Sequence, residues 1–157
     1  MTTSLALFGA LGVLSTAAAF AANRALLQPG AARRVSALEG VFYAAGVGSL
    51  VLGWYFNVRY VHAYADASYV NYTKMLFTNW AADSAAQDYT IVNVVLLPLW
   101  TIVDGRRRSI RIPWIFFVMS LFTSLAFAMA LYLAFVERSV RYARARPAAS
   151  STAYPQL

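Results

Sequence analysis

Cysteine is absent from the 157-residue sequence, and histidine occurs once. The absence of cysteine excludes disulfides, thiolate metal sites and cysteine nucleophiles, and one histidine cannot by itself build a histidine-rich metal site. The sequence also contains no phosphate-binding glycine loop and no serine–histidine–acid set. Charged residues make up only 12% of the chain. This scarcity argues against intrinsic disorder, because disordered chains combine many charges with little hydrophobicity.

Apolar residues, in contrast, are abundant. Hydrophobic residues form 61% of the chain, whereas an ordinary soluble domain has roughly 45–50%. The length fits one domain, and a water-soluble globule of this size could not cover so much apolar surface. The composition therefore predicts a multi-pass integral membrane protein, in a bacterial inner membrane or a plastid thylakoid membrane.

Four apolar segments approach the length of about 20 residues that a helix needs to cross a membrane. We therefore predict an all-α bundle of four transmembrane helices in one domain, residues 1–146, with a flexible or partner-bound tail, residues 147–157. Pro98 in the third segment lacks an N–H and predicts a kink. The first segment is expected to be a retained helix, because no basic residue precedes it as in a secretory signal. The predicted spans are residues 4–22, 39–58, 85–103 and 113–136.

Aromatic and apolar residues recur at helical spacing between the second and third spans: Tyr69, Tyr72, Leu76 and Trp80. This pattern predicts a short amphipathic helix in the headgroup layer, anchored by tyrosine and tryptophan. Asp66 or Ser68 is a candidate cap for its start. The alternative is an aromatic loop packed on the bundle.

Basic residues outnumber acidic ones by 13 to 6, and the formal net charge is +7. Nearly all are arginines that flank the apolar spans, so we interpret them as topology signals and anchors to lipid headgroups rather than as a nucleic-acid surface. With four spans, the first and third loops share one side of the membrane, and the arginines after the fourth span lie on the other side. The numbers of basic residues on the two sides are then almost equal. Because short basic loops are rarely translocated, both loops are expected in the cytoplasm or stroma. The third loop holds Arg106, Arg107, Arg108 and Arg111.

Small residues at four-residue spacing predict where the helices pack, because close approach of backbones drives helix association in lipid. The second span offers Ala45, Ser49 and Gly53, and the fourth offers Ser120, Ser124 and Ala128. These two rows are expected to face each other. The alternative is that an alanine-rich composition produces such rows by accident.

Three polar residues are candidate ligand contacts. Asn57 and Asn93 are the polar residues nearest the apolar interior, and His62 follows the second span at headgroup depth. His62 could ligate a pigment magnesium or a haem iron, and aromatic residues could pack on a chlorophyll, carotenoid or lipid tail. The competing interpretation is that the asparagines form inter-helix hydrogen bonds and that His62 is an ordinary interfacial residue.

Several short motifs follow one another in the second half of the chain. They are Phe77-x-Asn79-x-Ala81, Asp88 at the start of an apolar span, Asp104-Gly105-Arg106-Arg107, Ser124-x-Ala126-Phe127, Leu131-Tyr132-Leu133 and Glu137-Arg138. With these motifs the chain resembles a small bacterial and cyanobacterial family of multi-helix membrane proteins of unknown function, marked by the acidic-Gly-Arg-Arg turn between the last two helices. The resemblance covers residues 39–138. It implies a compact helical membrane fold and carries over no catalytic residues to this chain.

The chain lacks recognisable catalytic groups and has several small-residue faces on which other helices could pack. Together these two features favour a non-enzymatic accessory subunit of a larger membrane complex, respiratory or photosynthetic. Its expected partners are membrane lipids and other membrane-protein subunits, and no nucleic acid. One alternative is a protein that binds or transports a lipid, isoprenoid or pigment near Asn57, His62 and Asn93. A third, less favoured, is an intramembrane enzyme that uses Asp88 or Asp104 as acid and base.

Overall fold

The computed structural model describes residues 3–28 and 34–145, and helices form most of these two ranges. In chain order they are α1 Thr3–Ala22, α2 Arg24–Leu27, α3 Ala37–Ala63, α4 Tyr69–Met75, α5 Trp80–Ile91, α6 Leu97–Arg107, α7 Ile115–Phe122 and α8 Leu125–Ala145, with a π-helical turn, Val92–Leu96, between α5 and α6. Within the described ranges no strand occurs, so the all-α prediction is confirmed there. The predicted tail, residues 147–157, lies outside the described residues.

Three helical segments of the described chain are long and apolar enough to cross a membrane: Leu5–Ala22, Ala37–Ala63 and Trp80–Arg107. They correspond to the first three predicted spans. The third begins at Trp80 and is longer than predicted, because Asn79 caps its start by accepting the N–H groups of Ala81 and Ala82.

Pro98 lies within the third segment without ending it. A proline has no N–H, so a helix that continues through it loses one backbone hydrogen bond. Here the π-helical turn Val92–Leu96 comes directly before, and the N–H of Leu97 donates to the carbonyl of Val92, five residues back. A kink is expected at Pro98, and the structure has a π-turn just before this residue. The π-turn changes the hydrogen-bond register for one turn and leads into α6.

The predicted fourth span, residues 113–136, is corrected by the structure: it is a helical hairpin and not one crossing helix. The ring of Phe116 on α7 lies 5.2 Å from that of Tyr132 and 5.8 Å from that of Phe135, both on α8. In one straight helix, residues 116 and 132 would be about 24 Å apart. Helix α8 therefore runs back alongside α7.

The hairpin turns at Thr123 and Ser124. Thr123 leaves the helical conformation, with φ −119° and ψ −91°, and the hydroxyl of Ser124 accepts the N–H of Phe127 at 3.0 Å. Serine in this position caps the start of a helix. The sequence interpretation missed this turn because it contains no glycine, proline or charge, so the apolar run is unbroken.

The tip of the hairpin lies at the middle of the three candidate spans. Ser124 contacts Ser49 of α3, with 2.8 Å between the hydroxyl oxygens, and the hydroxyl of Ser120 donates to Asn93 of the π-turn at 2.6 Å. Gly12 of α1 sits against Phe122 and Thr123. Gly12, Ser49 and Asn93 are each near the midpoint of their segment. The hairpin thus enters the bundle from one end, turns at mid-depth and leaves by the same end.

Contacts between helix ends define two ends of the molecule. Asn23, after α1, contacts Arg111 before α7, and Glu39 at the start of α3 pairs with Arg138 near the end of α8. The hydroxyl of Ser139 on α8 donates to the carbonyl of Arg108 after α6. We call this the basic end. Its described basic residues are Arg24, Arg34, Arg106, Arg107, Arg108, Arg111, Arg138, Arg141 and Arg144.

Helix α4 lies at the opposite end, where the ring of Tyr69 stacks on Phe8 of α1 at 5.8 Å. Its start is capped by Ser68, which accepts the N–H of Asn71 at 3.2 Å. The predicted helix is thus present, but it ends at Met75, and Trp80 belongs to α5. The predicted aromatic stripe is therefore divided between two helices.

The hairpin supplies most of the core. Its residues Phe116, Met119, Tyr132 and Phe135 are fully buried, and Phe20 of α1 packs edge-on against Phe135 at 5.2 Å. The three candidate spans, in contrast, are largely uncovered: only 6% of the most apolar window of α3 is buried. The bundle is therefore built around the hairpin, with the long helices outside it.

The two predicted small-residue rows meet at one pair only. Ser49 contacts Ser124, but Ala45 is exposed and a Cβ at Gly53 would meet no atom within 4 Å. Ser120 bonds to Asn93, on another helix, and Ala128 is buried in the core. The close approach of α3 to α8 occurs instead at Gly46, where a Cβ would lie 3.5 Å from Ala130 and Phe127.

Gly12 and Gly48 provide a test of this packing. A Cβ at Gly12 would lie 2.9 Å from Thr123 Cγ2 and 3.2 Å from the carbonyl oxygen of Phe122, whereas one at Gly48 would meet nothing within 4 Å. We predict that Gly12→Ala lowers the free energy of unfolding in detergent by about 1–3 kcal/mol, as overpacking does. Gly48→Ala, the matched control, should leave it unchanged or raise it by up to about 1 kcal/mol, because alanine favours a helix more than glycine does. Equal stability of the two variants in denaturation followed by tryptophan fluorescence would contradict the placement of the hairpin tip.

Candidate functional site

A buried carboxylate holds the basic end together. Glu39, the third residue of α3, is completely buried. Its Oε2 lies 3.1 Å from a terminal nitrogen of Arg141. Its Oε1 accepts from the hydroxyl of Tyr43 at 3.2 Å. The Nε of Arg138 lies 2.8 Å from Oε1 in an ion pair whose angle falls outside the hydrogen-bond range.

The local sequence explains why Glu39 points into this cluster. The hydroxyl of Ser36 accepts the N–H of Glu39 at 3.1 Å, and the carboxylate of Glu39 reaches back to the N–H of Ser36 at 3.4 Å. This reciprocal arrangement is a capping box, which fixes the rotamer of the glutamate at the start of the helix. The Ser36 hydroxyl also donates to Glu137 on α8 at 3.1 Å, so the cap itself joins the two helices.

Replacing Glu39 tests the cluster. Glu39→Gln keeps the shape but leaves two arginines beside a neutral group, and breaking a buried ion pair costs about 3–5 kcal/mol. We therefore predict a loss of that size in the free energy of unfolding. Asp66→Asn makes the same chemical change at an exposed carboxylate outside the three candidate spans, and its amide oxygen can still accept the N–H of Ser68. It should therefore change stability by less than about 0.5 kcal/mol. A Glu39→Gln variant as stable as the parent would show that the cluster does not hold α3 to α8.

A second ion pair closes the end of α6. The Nε of Arg108 lies 2.8 Å from both carboxylate oxygens of Asp104, and the hydroxyl of Tyr132 donates to Oδ2 of Asp104 at 2.7 Å. The hydrogen bond to Asp104 raises the pKa of the Arg108 guanidinium, so this group stays charged. Asp104 is therefore engaged by an arginine and a tyrosine.

The loop between α6 and α7 is clamped by Asn23. The side-chain amide of this buried residue donates to the carbonyl of Arg111 at 3.1 Å, and its Oδ1 accepts the N–H of Arg111 at 2.8 Å. Ser109 and Ile112 in the same loop have positive φ values of 58° and 46°. Such backbone conformations cost on the order of 1–3 kcal/mol each and persist only where their surroundings hold them.

A cavity of about 460 Å³ opens beside this loop at the basic end. Its floor and walls come from the end of α1 and from α2, from the loop, and from the end of α8. The lining combines apolar residues with two arginines, two serines and a tyrosine. The lining residues are Ala22, Asn23, Ala25, Leu26, Arg108, Ser109, Arg111, Ser139, Tyr142 and Ala143.

The candidate ligand contacts predicted from the sequence do not line this cavity. Asn93 is buried and bonds to Ser120 and Tyr89, so it forms the inter-helix hydrogen bond of the competing interpretation. Asn57 is half-buried and His62 is exposed, both on the second half of α3. Neither belongs to the contacts that surround Asn93. In the described residues, no group of three or more His, Cys, Asp or Glu side chains is placed to hold a metal ion.

Sequence reasoning missed the residues that build the basic end. Glu39 was not singled out, although the Ser36-x-x-Glu39 spacing is a capping-box signature. Asn23 was not singled out either, and Tyr132 entered only as part of the Leu131-Tyr132-Leu133 motif. Nothing local in the sequence pairs Asn23 with Arg111 or Tyr132 with Asp104, because each pair is joined only by the hairpin.

The part of the chain that contains this architecture matches a known family. A family described as a protein of unknown function, DUF2834, matches residues 41–138. The chain belongs to this family. The match agrees with the resemblance over residues 39–138 and covers nearly all of α3 and most of α8, with the π-turn and the hairpin between them. Among curated proteins and solved structures, none matches the chain significantly.

The family segment of this DUF2834 protein leaves α1 outside it. Within the segment lie α7, most of α8, the Ser49–Ser124 contact and the Asp104–Arg108–Tyr132 group. Helix α1 adds Gly12 at the hairpin tip and Asn23 at the clamped loop. The cavity at the basic end therefore joins family residues to residues of α1, α2 and the end of α8.

Proposed function

We propose that this DUF2834 protein is a non-enzymatic integral membrane protein that serves as an accessory subunit of a larger membrane complex. In this arrangement the three candidate spans cross the membrane, and the α7–α8 hairpin is re-entrant. The start of α1 then lies on one side and the carboxyl end of α8 on the other. The uncovered apolar surfaces of the three spans support the placement in lipid, because they have no protein partner within the described chain.

The distribution of charge supports one orientation. With a re-entrant hairpin, the arginines of α8 join those of the loops at the basic end, and the near-equal division expected for four spans disappears. Among the described residues, the opposite end carries only Arg59 and Lys74 as basic residues. Cytoplasmic segments are enriched in lysine and arginine. The basic end therefore faces the cytoplasm, or the equivalent compartment of an organelle.

Single-cysteine labelling tests this topology cleanly, because the chain has no cysteine of its own. We predict that Ser109→Cys and Ala143→Cys are both protected from a membrane-impermeant thiol reagent in intact cells and both labelled after permeabilisation. Thr78→Cys, at the opposite end, should be labelled in intact cells. If residues 113–136 crossed the membrane as one helix, Ser109→Cys and Ala143→Cys would give opposite results.

The accessory role is proposed on the outward face of α3. Gly46 faces α8, and residues two positions away on either side lie about 200° round the helix. These are Ala44 and Gly48, which are exposed and form a notch beside the exposed Val51 and Tyr55. In lipid, small residues at four-residue spacing let another helix approach closely. The notch therefore fits a helix of a partner subunit.

Filling the notch tests this role. We predict that the parent chain, extracted in a mild detergent, migrates on a native gel with a partner in fixed ratio. Gly48→Leu should release the partner without lowering the thermal stability of the chain, because no atom lies within 4 Å of a Cβ at that position. Val51→Leu, on the same face, is the control and should retain the partner. A parent chain that migrates alone would argue against the accessory role.

A further inference from the structure

We propose that the cavity at the basic end binds a phosphate group, held by Arg108 and Arg111, and that the phosphate belongs to an anionic phospholipid of the surrounding leaflet. The inference requires the membrane placement proposed above, but it does not depend on the accessory role or on the notch of α3. It concerns a site formed by α1, α2, α8 and the α6–α7 loop.

The charge at the cavity is not neutralised by the protein. The acidic residues at the basic end are already engaged: Glu39 by Arg138 and Arg141, Asp104 by Arg108 and Tyr132, and Glu137 by Ser36. No ion pair in the described chain includes Arg111. Arginines at the headgroup level attract anionic lipids, so the cavity has an unbalanced positive charge where lipid phosphates lie.

The two arginines are suited to a phosphate. Arg108 uses its Nε for Asp104, so its two terminal amino groups are not committed to that carboxylate. The guanidinium fork matches two oxygens of a phosphate, which a point charge such as lysine does not. Asp104 and Asn23 fix the two residues at different points: Asp104 holds the side chain of Arg108, and Asn23 holds the backbone of Arg111. The guanidinium of Arg108 and the backbone position of Arg111 are thus fixed before a ligand arrives.

The shape of the cavity favours an amphiphile over a small ion. Its volume of about 460 Å³ lies within the range of roughly 300–1,000 Å³ typical of ligand pockets. The wall formed by Ala22, Ala25 and Leu26 is apolar and continues from α1, a candidate membrane span. A glycerol backbone and the first acyl carbons can lie along this wall while the phosphate meets the arginines.

Binding of phosphatidylglycerol to the purified full chain, measured by native mass spectrometry in detergent, tests the proposal. The parent chain should bind a first phosphatidylglycerol molecule more tightly than any further ones. Arg111→Gln should weaken this first binding step about tenfold or more, as expected for loss of a charge-assisted hydrogen bond. Arg107→Gln removes the same charge from an exposed residue outside the cavity and should weaken binding less than about twofold.

A second variant separates the cavity from the charge. Ala143→Trp fills the cavity without changing the net charge, and it should weaken binding as much as Arg111→Gln does. Its thermal stability in the absence of lipid serves as the check on folding. If Ala143→Trp folds and binds normally, or if Arg107→Gln weakens binding as much as Arg111→Gln, the cavity is not the site and the proposal is overturned.

Inorganic phosphate distinguishes the source of the phosphate group. If millimolar phosphate fails to displace phosphatidylglycerol, the lipid is the ligand, as proposed. If it displaces the lipid and binds with the same dependence on Arg111, the phosphate site is supported and a soluble phosphate compound is its ligand. If the parent chain binds neither phosphatidylglycerol nor inorganic phosphate, this inference is overturned. If the Gly48→Leu variant nevertheless loses the partner subunit that the parent retains, the accessory role still stands.

Discussion

A helix can turn back inside an apolar bundle only if the polar groups freed by the turn find partners there. Water is not present at the middle of a membrane to bind them. Here Ser124 caps the second helix of the hairpin and meets Ser49, while the hydroxyl of Thr123 donates to the carbonyl of Met119 at 2.7 Å. On the side of the π-turn, the hydroxyl of Ser120 donates to Asn93. The rest of the fold depends on this polar mid-depth layer, because it holds the hairpin among the three long helices.

The buried hairpin changes how the long helices are used. In a simple four-helix bundle each helix would share its surface among its neighbours, but here α7 and α8 occupy the centre and the other helices pack on them. The inward face of α3 packs against the hairpin at Gly46 and Ser49. The opposite face, with Ala44 and Gly48, stays uncovered. The topology therefore produces the outward notch on which the accessory role is proposed.

The same hairpin gathers charge at one end. Because α8 returns to the end from which α7 enters, its arginines come beside Glu39 and beside the loop that follows α6. Three acidic residues there are matched against a larger number of arginines. This arrangement satisfies the buried carboxylates and still leaves Arg111 outside every ion pair described, which is what makes the neighbouring cavity electropositive.

Composition and local pattern were sufficient for several features. Three long apolar helices, a cap at one of the two candidate residues, Ser68, and the resemblance to a family of unknown function are confirmed, because apolar length, helix capping and family motifs are features of consecutive residues. The competing interpretation of Asn93, an inter-helix hydrogen bond, also agrees with the contact observed. The predicted pairing of whole small-residue rows is not observed. Gly46, which is absent from the predicted row, makes the close contact with α8, and Gly53 makes none.

What the sequence by itself determined is therefore the helical, apolar character of the chain and the positions of most helix ends. Only the tertiary structure decided that residues 113–136 fold back, since a two-residue turn without glycine, proline or charge leaves the apolar run unbroken. Everything that follows from that reversal, including the Asn23 clamp, the Tyr132–Asp104 contact and the cavity, joins residues far apart in the chain. Such pairs depend on the direction in which α8 runs, and hydrophobicity along a sequence carries no information about direction.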